Sequence, residues 1–101
     1  MAADDLFKAL ADPTRRIILD ELADTSGQTL FEICSRLSMK HRLGMSRQAV
    51  SQYLVMLEAA GLVETRRQGR CTFHDLNTAP LRRITERWPV PVTSGPEENT
   101  P

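Results

Sequence analysis

The chain predicts a mainly α-helical fold with one small β-hairpin, in the order α-α-α-α-β-β-α. Three observations carry this expectation. Apolar residues recur at helical spacing in stretches that open on capping residues. Two short strand-like runs flank Gln68-Gly69. Four of the six prolines (Pro89, Pro91, Pro96, Pro101) crowd into the last 13 residues, where they end regular structure.

Leu6, Phe7 and Leu10 form one apolar stripe, so residues 4–11 read as a first helix. Asp12-Pro13 restarts the chain: the carboxylate can accept from orphan backbone donors, and proline suits a first helical position. Ile17, Ile18, Leu19 and Leu22 carry a second helix to about Ala23, and Asp24-Thr-Ser-Gly27 ends it. Thr29 and Glu32 have the spacing of a capping box and open a third helix through Leu30, Ile33 and Leu37. Residues 38–44 either prolong that helix to Leu43 or form a longer turn, with Gly44 supplying the positive φ that stops it.

Ser46 caps the fourth helix. On a wheel of about 100° per residue, Tyr53, Leu54 and Leu57 fall within about 60° of Val50, while Gln48 and Gln52 lie opposite, flanked in sequence by Arg47 and Ser51. One stripe packs and the other is left free. Gly61 is the expected residue just past its end. Residues 62–67 and 70–76 then form a hairpin around Gln68-Gly69. Asn77 or Thr78 caps a last helix bearing Leu81, Ile84 and Trp88 on one side. Residues 1–88 are thus expected to be one domain and 89–101 a disordered proline-rich tail.

At 101 residues with five aromatics, the chain holds one modest core, and a second copy would help to bury apolar surface. No apolar run approaches the roughly 20 residues that cross a membrane. The start lacks the basic and apolar segments of a signal peptide, and Cys34 and Cys71 are too few for a disulfide framework. A cytoplasmic protein is expected. The formal net charge of zero hides an asymmetry. Residues 1–35 hold seven acids and three bases, whereas residues 36–70 hold seven bases and two acids. That basic middle coincides with the polar helix face and the hairpin, where it can attract phosphates.

This order of elements resembles the ArsR-type winged helix-turn-helix repressors. The resemblance runs from about Leu6 to Trp88. It rests on Leu10-Ala-Asp-Pro-Thr-Arg-Arg16, Met45-Ser-Arg-Gln-Ala-Val-Ser51, Leu57-Glu-Ala-Ala-Gly-Leu-Val63 and the Arg66-Arg-Gln-Gly-Arg70 wing. It implies a homodimer built from the first and last helices, a repressor bound to an inverted repeat in double-stranded DNA, and an effector of unidentified chemistry that relieves repression. Two departures stand out. The positions matching the family's Cys-x-Cys metal pair are Ile33 and Ser35, and residues 78–88 contain no His, Cys or Asp. The stretch between Leu37 and Gly44 is also longer than the usual turn.

Arg47, Gln48, Ser51 and Gln52, with Ser46 at the cap, are the expected DNA-reading residues; the alternative is an ordinary exposed helix face. Arg66, Arg67 and Arg70 are expected to meet phosphates or the minor groove. Alternation along a strand keeps Arg66 and Arg67 from pointing the same way, which favours Arg67 and Arg70. Lys40 and Arg42 either grip the backbone beside the groove or are solvated charges. Leu6, Phe7, Leu10, Leu81, Ile84 and Trp88 are expected at the dimer interface, with Trp88 crossing it; closing a monomer core is the other reading.

No pair among Cys34, His41, Cys71 and His74 has a short chelating spacing, so no metal or other cofactor is expected. Cys34 reads as a small buried hydrophobe, and His74 as a strand residue or a DNA contact. No phosphate loop, nucleophile motif or convincing acid pair points to an enzyme, and stacking aromatics for RNA are lacking. The expected function is sequence-specific transcriptional regulation, by repression. Its rivals are a dimeric protein-interaction module with the same fold, and a redox- or metal-responsive repressor using Cys34 or Cys71.

Overall fold

Local hydrogen bonds mark the helix starts where the sequence places them. The structure, a computed structural model, describes residues 2–91, with side chains from residue 5 onward. Helices α1 (Ala2–Ala11) and α2 (Pro13–Asp24) are split at Asp12, whose carboxylate accepts from the Arg15 N–H at 3.0 Å. Helix α3 (Leu30–His41) opens on a reciprocal box. Thr29 Oγ1 accepts from the Glu32 N–H at 3.2 Å, and Glu32 Oε1 accepts from the Thr29 N–H at 2.9 Å. Helix α4 (Arg47–Ala59) begins at Ser46, whose hydroxyl accepts from the Ala49 N–H at 3.1 Å; just past its end Gly61 takes φ 78°.

The end of α3 departs from the sequence expectation. Arg42, not Gly44, takes the left-handed conformation, at φ 56° and ψ 35°. The Leu37 carbonyl collects the N–H groups of Arg42 and Leu43, the latter at 3.0 Å. This turn sends Leu43 and Met45 back against the core. Partial burial of those two side chains offsets the roughly 1–2 kcal/mol steric cost of a left-handed residue that carries a Cβ.

The hairpin also shifts by one residue. Strands β1 (Val63–Gln68) and β2 (Cys71–Leu76) pair antiparallel from Val63↔Leu76 to Gln68↔Cys71, so the two-residue turn is Gly69-Arg70 rather than Gln68-Gly69. Gly69, at φ 61°, supplies the positive φ that a type II′ turn needs at its first central position. A single bridge between Gln28 and His74 extends this ribbon toward α3. The last helix is shorter than its spacing suggests: a 3-10 turn over Ala79–Leu81 leads into α5 (Arg82–Arg87). Asn77 Oδ1 accepts from the Ala79 N–H at 3.1 Å, whereas Thr78 makes no capping bond.

The core lies where these elements converge. Leu6 and Ala9 from α1, Ile18 and Leu22 from α2, and Ile33 and Leu37 from α3 meet Val50, Leu54 and Leu57 from α4, with Leu62 and Val63 closing one end. Helix α4 is therefore held from behind by buried leucines, and its N-terminal half keeps a free side. Among the described residues no helix is long and apolar enough to cross a membrane. Residues 89–91 are exposed, and the rest of the expected proline-rich tail lies outside the described residues.

Candidate nucleic-acid interface

The packing of α4 decides which of its side chains stay free. Val50, Leu54 and Leu57 are buried, so Ser46, Arg47, Gln48 and Gln52 are left exposed and Ser51 half-buried. Between α4, the start of α3 and the hairpin lies an open groove of about 710 Å³. Arg47, Ser51 and Val55 line it from α4, Arg67 from β1, and Arg70 from the turn, with Phe31 at the start of α3. Three arginines and one acid, Glu58, face this space. Such a surface offers cationic and hydrogen-bonding groups at a width set by rigid elements.

The three wing arginines are not equivalent. Arg66 donates from Nε to Asp75 Oδ2 at 2.6 Å and lies over the Phe73 ring at 5.2 Å, which fixes it on one side of the hairpin. The hydrogen bond from Arg66 holds the Asp75 carboxyl below the usual carboxylate range, against the opposing effect of burial. Arg67, one residue on, faces the other side and lines the groove with Arg70.

Lys40 is committed within the chain as well. Its ammonium contacts Glu21 Oε2 at 2.9 Å and Asp24 Oδ2 at 3.4 Å. Glu21 is only 2% exposed and also meets His41 Nε2 at 2.9 Å, while its Oε1 has no partner. Burial alone would raise this carboxyl; the hydrogen bonds from Lys40 and His41 outweigh burial and lower it. Sequence reasoning missed Glu21, because nothing local marks a helical glutamate as buried. Arg42 remains exposed at its left-handed position.

His74 is a buried strand residue. Its backbone N–H and its ring Nδ1 both point at the Gln28 carbonyl, at 2.8 and 2.9 Å, and a carbonyl can only accept, so Nδ1 carries the proton. Gln28 was also missed. It is 1% exposed and donates from Nε2 to the Glu21 and Thr25 carbonyls at the end of α2. Cys34 is half-buried against the core; burial pushes its thiol up, more than nearby Arg47 pulls it down. Cys71 is an exposed free thiol beside the groove. Among the described residues, no three His, Cys, Asp or Glu side chains are grouped to hold a metal ion.

On another side, α1 meets the end of α5. The Phe7 and Trp88 rings pack edge to face at 6.1 Å, with the Arg87 guanidinium 4.5 Å over Trp88. Leu6 is fully buried in the chain's own core, and Leu10, Leu81 and Ile84 are partly buried against it. Trp88 stays 56% exposed.

Comparison with known proteins agrees with this architecture. Residues 10–66 match the helix-turn-helix domain family. The chain is 44% identical over 85 residues to YuzN of Bacillus subtilis, named an uncharacterized HTH-type transcriptional regulator; the match covers 84% of this chain and 92% of YuzN. The crystal structure of the ArsR family transcriptional regulator RHA00566 superposes with a TM-score of 0.71 at 27% identity, covering 87% of this chain and 88% of that one. The solution structure of the homodimeric winged helix-turn-helix DNA-binding domain Mb0332 from Mycobacterium bovis gives 0.67 at 27% identity, covering 86% and 75%. The capped helix α4, the basic hairpin and the element order thus coincide with sequence kinship: the chain belongs to the ArsR family of winged helix-turn-helix transcriptional regulators.

Proposed function

We propose that the chain acts in the cytoplasm as a homodimeric repressor that reads an inverted-repeat operator. One observation carries this reading: Arg47 of α4 lines one groove with Arg67 and Arg70, and the next row of the same helix leaves Gln48 and Gln52 exposed outside that groove. Arginine matches guanine bidentately and glutamine matches adenine, while the wing cations neutralise phosphates alongside. Arg42, exposed at the turn before α4, is placed to add a phosphate contact.

Pairing supplies the second half-site. Phe7, Leu10, Leu81, Ile84 and Trp88 form the proposed interface, with Leu6 as the buried floor behind them. The homodimeric state of the related Mb0332 domain supports pairing as such. Two-fold symmetry then sets two α4 helices in successive major grooves, with half-sites about one helical turn (~34–36 Å) or a multiple apart. Repression follows by occlusion: promoter DNA held under two helices and two wings is closed to polymerase.

Competition binding tests the reading. The dimer should hold its best duplex roughly 10³-fold or more above scrambled DNA. Equal affinity for both would favour the interaction-module alternative.

A further inference from the structure

Arg15 joins α1 to α4. Pro13 has no N–H to donate to the Ala9 carbonyl four residues back, and Arg15 Nε donates to that oxygen instead, at 3.0 Å. Nη2 donates to the neighbouring Lys8 carbonyl at 2.7 Å, so one guanidinium caps the negative end of α1. Its other arm crosses to α4. Nη1 lies 3.4 Å from Met56 Sδ, and the guanidinium carbon sits 5.6 Å from the Tyr53 ring centroid. Among the described residues no other side chain hydrogen-bonds to both helices.

Gln48, Gln52 and Met56 follow one another at i, i+4 and i+8, so they form a single row along α4. Arg15 therefore grips this row one turn beyond Gln52. Its neighbour Arg16 gives a natural control: Nη1 donates to the Leu10 carbonyl at 2.6 Å, and Arg16 makes no hydrogen bond to α4.

We propose that Arg15 is a positioning residue for DNA reading, fixing the recognition helix relative to α1 so that paired copies accept one half-site separation. This rests on the dimeric reading above, in which α1 lies at the two-fold interface. The forked guanidinium does the fixing, because three of its nitrogens meet groups on two helices. A lysine keeps the charge but reaches only one of them.

The test has one arm that needs an operator and one that does not. On duplexes carrying the best half-sites, spacing is varied by one base pair in either direction. Arg15→Gln should lose about tenfold in affinity at the native spacing and flatten the preference among spacings; Arg15→Lys should recover only part of it. Arg16→Gln should keep the native ranking. An unchanged ranking in Arg15→Gln, or full recovery with lysine, overturns the proposal by reducing Arg15 to a structural bond or a point charge. In the free protein, the amide NMR signals of Gln52, Tyr53 and Met56 and the Met56 methyl signal should shift or broaden in Arg15→Gln and hold still in Arg16→Gln. Still signals in both would overturn it even if the native chain showed no operator preference, an outcome that would instead refute the DNA-reading function. Should Arg15→Gln fail to fold, Met56→Leu removes the Sδ contact from the α4 side; the spacing ranking and the Gln52 and Tyr53 amide signals are then decisive in the same way.

Discussion

Arg66 and Asp75 are diagonal neighbours on one face of the hairpin, joined at 2.6 Å, and this pairing removes Arg66 from the groove that Arg67 and Arg70 line. Two consecutive arginines thus have separate tasks. Arg67→Ala should lower the slope of log affinity against log salt by about one unit for each phosphate no longer neutralised. Arg66→Ala should change that slope less and loosen the hairpin instead. A salt titration of both variants checks the division, and equal slopes would reject it.

Gln48 should read a base edge and not the backbone. Gln48→Ala is expected to cost about 1–3 kcal/mol of operator affinity and to leave scrambled duplexes almost unaffected. Competition assays on the two duplex types measure the ratio. Parallel losses would assign Gln48 no reading role.

Arg42 carries backbone strain that glycine lacks. Arg42→Gly should stabilise the fold by about 0.5–1 kcal/mol in urea unfolding, since the left-handed turn no longer meets a Cβ. If Arg42 also touches a phosphate, the same variant should bind DNA with a shallower salt slope. A destabilised variant would show that the Arg42 side chain holds the turn.

Acid should undo the α2–α3 contact. Glu21 has a lowered carboxyl, so its stabilisation is complete above the ordinary glutamate value of about 4.3 and is lost as pH falls through the lower folded value. Asp75 contributes in the same direction. Thermal unfolding across the acid range should show the native chain losing stability more steeply than Glu21→Gln. Identical pH profiles would place the acid sensitivity elsewhere.

Short-range chemistry made most of the fold legible in the sequence. The Asp12-Pro13 break, the Thr29–Glu32 box, the Ser46 cap and the Gly61 stop each depend on bonds within a few residues. What escaped depends on distant partners. Arg42 displaced Gly44 at the α3 stop because Leu43 and Met45 had to reach a core assembled from other helices. The hairpin register moved by one residue because Gly69 suits the first turn position. The burial of Glu21 against Lys40 and His41, the Gln28–His74 bridge and the Arg15 link to Met56 join residues far apart in sequence. The free face of α4 was readable from its periodicity alone, since burying Val50, Leu54 and Leu57 leaves Gln48 and Gln52 outside.

Selection of bound duplexes from a random pool gives the sharpest test of symmetric DNA reading. The expected product is an inverted repeat whose halves lie about one helical turn or a multiple apart, matching two α4 helices related by a two-fold axis. Recovery of unrelated sequences, or of single half-sites with no symmetric partner, would refute paired recognition.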